Sequence, residues 1–82
     1  MIKFHLHAQE RLKERGATEQ EIIATVEKGE MFPAKFGRMG FRRNFDFNGL
    51  WQGKHYLTKQ VEVYAVKEEI DWLVITIITR YF

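Results

Sequence analysis

Two hydrophobic periods divide the chain. Residues Leu6 to Arg15 are rich in helix formers, and Gly16 supplies a C-terminal stop. Thr18, with Glu21 three residues on, forms a capping box for a second helix, and Glu19 and Glu21 suit the positive end of its dipole. Ile22, Ile23 and Val26 make the apolar stripe, Lys28 suits the negative end, and Gly29 closes the helix. Two helices joined at a Gly16-Ala17 corner predict a helical hairpin.

Beyond Gly29 the period becomes two. Phe41, Arg43, Phe45 and Phe47 alternate with Arg42, Asn44 and Asp46, as in a half-buried strand. Asn48-Gly49 is a preferred pair for a tight hairpin turn, so an antiparallel partner is expected directly after it. Gly53 reads as a bulge, and a longer strand is expected from about His55 to Val66. Lys67-Glu68-Glu69 is the next expected reversal. Trp72 to Tyr81 is the strongest strand, apolar on both faces like a central one. Pro33 limits residues 30 to 36 to an edge strand or a loop. The expected class is α+β, with the hairpin packed on one face of a three- or four-stranded antiparallel meander.

Length and composition narrow this further. Eighty-two residues allow one small domain, 1–82, and no linker or repeat divides it. Seven Phe, three Tyr and two Trp must supply the core, because the chain has no Cys for disulfides, thiolate metal sites or a thiol nucleophile. The N-terminal residues lack the pattern of a signal peptide, and the longest apolar run, Trp72 to Ile78, is far short of the ~20 residues of a spanning helix. A soluble cytoplasmic protein without a membrane partner is expected. The net charge of +2 is mild, but residues 1–43 hold most of the basic excess.

Several groups carry candidate chemistry. His7, Arg11 and Arg15 are spaced four apart, so they share one stripe of the first helix. The stripe is either a solvated face, with Arg11 and Arg15 neutralised by Glu10, Glu14 or an acid elsewhere, or a phosphate-contacting row with an acid–base imidazole. Lys35, Arg38, Arg42 and Arg43 lie within nine residues without an acid, interleaved with Phe36, Phe41 and Phe45. Cations for phosphates and rings for bases suit single-stranded RNA, although phenylalanines at strand period also serve a core. By parity Thr76 and Arg80 share a face of the last strand with Trp72, Val74 and Ile78. Lys59, Tyr56 or Tyr64 can add a charge or a phenol near the same rim. His5, His7 and His55 lack an accompanying acidic cluster, so no metal site is expected. No phosphate loop, paired-carboxylate motif or serine elbow is present.

The series His7-Ala8, Arg11-Leu12 and Arg15-Gly16-Ala17, the capped second helix ending at Gly29, and the segments Val61-Glu62-Val63-Tyr64 and Leu73-Val74-Ile75-Thr76 resemble a small prokaryotic family related to the BrnT toxins. The resemblance spans about residues 4 to 81. It implies a RelE/barnase-like α+β fold and a toxin of a toxin–antitoxin system, a metal-independent endoribonuclease acting on RNA without a cofactor. It also implies an antitoxin partner, often of the zinc-finger or another DNA-binding type. The positions that match are His7, Arg11, Arg15, Gly16 and Thr76. RNA cleavage needs a base, cations and an acid. His7 is the expected proton-transfer group, with Arg11 and Arg43 as phosphate clamps. Arg15, Lys35, Arg38, Arg42, Lys59, Thr76 and Arg80 are the expected RNA contacts. A cationic cleft calls for an acidic antitoxin segment. The alternative is a non-catalytic module of the same fold: a protein-binding one, with His7 and Arg11 tied into internal hydrogen bonds and facing no cleft, or an RNA-binding one with salt-dependent affinity and no cleavage products.

Overall fold

Helix formation follows the local signals closely. In the computed structural model, which describes residues 1–82, α1 spans Leu6–Arg15 and α2 spans Glu19–Lys28. Thr18 Oγ1 accepts from the Glu21 backbone N–H at 3.1 Å, and Glu21 Oε1 accepts from the Thr18 N–H at 3.0 Å, the reciprocal box expected. Gly16 ends α1 at φ 71°, a left-handed conformation that costs glycine little. A Cβ there would lie 2.5 Å from the Trp51 ring, so the corner needs glycine for space as well as for conformation.

The five strands are β1 (Ile2–Phe4), β2 (Glu30–Pro33), β3 (Met39–Trp51), β4 (Lys54–Glu68) and β5 (Asp71–Tyr81). They form one sheet in the order β1-β5-β4-β3-β2, with β1 parallel to β5 and every other pair antiparallel. The sheet is therefore larger than the expected meander, and mixed. Three residues are too few to display a period of two, which is why β1 leaves no mark in the pattern.

The hairpin turn also differs from expectation. Gln52 and Gly53, at φ 51° and 81°, make the two-residue turn between Trp51 and its partner Lys54. Two successive positive φ values suit the right-handed twist of a tight hairpin. Asn48, at φ 43°, instead lies in a bulge where the register shifts between Asp46 and Gly49. The roles expected of Asn48-Gly49 and Gly53 are exchanged. The last reversal falls at Glu69-Ile70, two residues that follow β4, while Lys67 and Glu68 stay in the strand.

Both helices cover one face of the sheet. Ala8, Ala17, Ile22 and Val26 pack with Phe41, Val61, Val63, Ala65, Val74 and Ile77 in a single buried cluster. Each fully buried aliphatic side chain contributes roughly 1.5–3 kcal/mol, which makes this layer the main source of stability. A second bulge lies in β5, where the pairing passes from Tyr64–Thr76 to Ala65–Val74 and leaves Ile75 as the extra residue. That bulge reverses parity within the strand. Thr76, Ile78 and Arg80 consequently lie on the face away from the helices, while Trp72 and Val74 face the helical layer, which corrects the single face expected for all five.

Candidate functional site

The face of the sheet opposite the helices is covered by no element of the chain. Register sets what stands on it. Arg42 of β3 pairs with Glu62 of β4, Gln60 pairs with Arg80 of β5, and Tyr64 pairs with Gly40 and Thr76. At the centre the Glu62 side chain is 3% exposed, whereas those of Arg42 and Arg80 are 39% and 53% exposed. Arg42 Nε and Arg80 NH1 both donate to Glu62 Oε2, each at 2.9 Å. The Tyr64 hydroxyl donates to the other oxygen, Oε1.

The two guanidinium groups outnumber the one buried carboxylate, and each keeps N–H donors toward solvent. Glu30 approaches Arg42 only at 4.0 Å from an exposed position. Burial pushes the Glu62 carboxyl up, but the hydrogen bonds from Tyr64 and Arg42 and the charge of Arg80 outweigh it, so the pKa lies below its ordinary value. The hydrogen bond to Glu62, assisted by burial, pushes the Tyr64 phenol up and keeps its proton on. The Arg42 guanidinium is raised chiefly by its hydrogen bond to Glu62. The result is a cationic surface cluster, a cup of charge rather than a cavity, with an ionised carboxylate at its floor and a protonated phenol at its side.

An aromatic wall adjoins the cup. The Phe32 ring lies 4.7 Å beneath the Arg42 guanidinium and meets Tyr64 edge-on with ring centroids 6.1 Å apart. Gly40 separates them in register, and a Cβ there would collide with the Phe32 ring, so glycine leaves the ring room across the strand. Lys35 and Arg38, in the loop from β2 to β3, complete the rim, and neither is in an ion pair.

The structure divides the residues singled out from sequence into two groups. Arg42, Arg80, Thr76, Lys35 and Arg38 belong to the open face or its rim. His7, Arg11, Arg15, Arg43 and Lys59 belong to the helical side. His7 Nε2 accepts from Arg11 Nε at 3.3 Å, and Arg11 also pairs with Glu14 at 3.5 Å. Neither His7 nor Arg11 lines a cavity, and neither do Glu62 and Arg80. The Arg15 carbonyl accepts from Thr79 at 2.8 Å and Tyr81 at 2.9 Å, and its side chain borders a small polar hollow with Glu14 and Gln52. Arg43 lies 5.2 Å from the Phe45 ring and reaches the Ala24 carbonyl of α2 at 3.5 Å. The catalytic trio expected from sequence is therefore not gathered: His7 and Arg11 stay on α1 while Arg43 is held against α2.

Lys59 is 7% exposed and donates to the Gly16 carbonyl at 2.9 Å and to Glu21 at 3.0 Å. It ties the helix corner to the sheet rather than presenting a charge to solvent. Glu62 and Phe32 received no role from the sequence, although Glu62 stands beside two alternating strands that carry Arg42 and Arg80. No group of His, Cys, Asp or Glu is arranged to hold a metal ion. No helix is long and apolar enough to cross a membrane. Comparison with family models, curated proteins and solved structures finds no match.

Proposed function

We propose that the open sheet face binds RNA and cleaves it without a metal, by attack of a ribose 2′-hydroxyl on the adjacent phosphodiester. The observation that carries this reading is the buried Glu62 carboxylate held between two half-exposed arginines and a phenol on the only sheet face the helices leave bare. Two helices on one side of a sheet and a bare opposite face also agree with the RelE/barnase-like architecture that the sequence resemblance implies.

Arg42 and Arg80 supply bidentate forks for the phosphate oxygens and stabilise the charge that grows on phosphorus. A phosphate that recruits them draws hydrogen bonds away from Glu62. Two of the interactions that hold the carboxyl pKa down are thereby weakened, and Glu62 becomes a stronger base when substrate is bound. Glu62 takes the 2′-hydroxyl proton, the 2′-oxygen bonds to phosphorus, and the bond from phosphorus to the 5′-oxygen breaks. Tyr64, which retains its proton, donates it to the departing oxygen and recovers one from Glu62 through their hydrogen bond. The products are a 2′,3′-cyclic phosphate and a free 5′-hydroxyl.

In this reading the chain is a toxin-like ribonuclease, and an antitoxin with acidic side chains would neutralise Arg42, Arg80, Lys35 and Arg38. Induced expression in a bacterial host, with growth and RNA integrity followed together, tests it. The wild-type chain should arrest growth and fragment RNA, whereas soluble, folded Glu62→Gln should do neither. One observation favours a second reading, a binding module without cleavage: in the unliganded chain every Glu62 oxygen is already engaged. RNA binding without fragments from the wild type would select that reading.

A further inference from the structure

Beside the phosphate cup lies a cavity of about 370 Å³, within the range of small-ligand pockets, walled by Phe32, Tyr64, Pro33 and Phe36 with Lys35 and Arg38 at its rim. Phe36 has no internal packing that explains it. The residue is 88% exposed and sits at φ 61°, a left-handed conformation that a bulky side chain adopts at a cost. The loop is closed by its own backbone bonds, Ala34 N–H to the Arg38 carbonyl at 3.0 Å and Arg38 N–H to the Lys35 carbonyl at 3.2 Å, and these present the Phe36 ring at the mouth of the cavity.

The ligand suited to this geometry is flat and aromatic, with an anion attached at one end. The cavity offers aromatic side chains and, at its rim, cations, but no carboxylate. It shares Tyr64 with the cup, and Phe32, its second wall, lies directly under Arg42. A group lodged among Phe32, Phe36 and Tyr64 is thus next to an anion held by Arg42. We infer that this cavity is a nucleobase subsite, in which Phe36 stacks on the base of a nucleotide whose phosphate occupies the Arg42–Arg80 cup. The inference rests on the RNA reading and adds to it the part of the substrate recognised. Stacking on a ring face is tolerant of base identity, and its strength grows with ring area, so purines should bind more tightly than pyrimidines.

Calorimetric and NMR titrations with adenosine 3′-monophosphate and with inorganic phosphate separate the two parts. The nucleotide should bind tighter than phosphate by roughly 5- to 150-fold, the span expected of one base–aromatic stack, and should shift the resonances of residues 32–38. Phe36→Ala should abolish that advantage while leaving phosphate affinity unchanged, and Phe36→Trp should restore it. Phosphate binding at Arg42 and Arg80 with no nucleotide advantage, or an advantage that survives in Phe36→Ala, overturns the subsite alone. Failure of both probes to perturb Arg42 and Arg80 overturns the RNA reading with it.

Discussion

Replacing Lys59 with Met should unfold the chain far below its normal midpoint without emptying the open face of charge. The ammonium donates to the Gly16 carbonyl at 2.9 Å and to the Glu21 carboxylate at 3.0 Å, so it joins β4 both to the corner between the helices and to the capping box of α2. Hydrogen bonds to charged groups each contribute about 1.5–3 kcal/mol. Removing one member of a buried ion pair costs about 3–5 kcal/mol. Glu21 is 21% exposed, so water recovers part of that cost, and Met preserves the packing of the lysine stem. A net loss of about 2–4 kcal/mol follows from these terms. For a domain of this size that is a fall in Tm of roughly 10–25 °C. Thermal unfolding followed by circular dichroism measures it, and a double-mutant cycle with Glu21→Gln should give a coupling of at least ~0.5 kcal/mol. A midpoint within a few degrees of wild type, together with weakened RNA binding, would refute the anchoring role. Lys59 would then be an RNA contact, as the sequence suggests.

Two further outcomes follow from the same contacts. Gly16→Ala should destabilise by more than the usual ~1 kcal/mol of a left-handed glycine, since the new Cβ would also meet the Trp51 ring and the Tyr81 hydroxyl; chemical denaturation measures this. The carboxyl of Glu62 has a folded pKa below its unfolded value, so its stabilisation is complete above the ordinary carboxylate range and is lost as pH falls through the folded pKa. The stability difference between wild type and Glu62→Gln should therefore shrink as the pH drops below about 4–5, and a difference that holds constant or grows toward acid would contradict the assigned shift.

The helices were legible because their signals are local. Caps, stripe and stops all lie within a few residues of one another, and the structure reproduces them at Gly16, Thr18, Glu21 and Gly29. The open-face site was not legible, because it depends on register. A turn at Asn48-Gly49 would set Arg42 opposite His55, whereas the turn at Gln52-Gly53, with the bulge at Asn48, sets it opposite Glu62. One misplaced turn thus conceals the central carboxylate. The bulge at Ile75 has the same effect on β5, since simple alternation groups Arg80 with Trp72 and Val74 on the core side. The charged segment from Lys35 to Arg43 was recognised as a unit, yet alternation sends Arg42 to one face and Arg43 to the other. Both border a polar hollow at the sheet edge with Lys28, Glu30 and Asn44, but only Arg42 reaches Glu62.

The most direct measurement uses an oligodeoxynucleotide carrying a single ribonucleotide, incubated with the purified chain in the presence of a chelator. Attack by a 2′-hydroxyl can occur only at that ribonucleotide, and the roles proposed for Arg42, Glu62, Tyr64 and Arg80 call for no metal. Cleavage at that position alone is expected, leaving a 2′,3′-cyclic phosphate, with none from Glu62→Gln or from an all-deoxy control. Intact oligonucleotide, cleavage that requires a divalent ion, or cuts in the deoxy control would contradict the assignment of ribonuclease chemistry to the open sheet face.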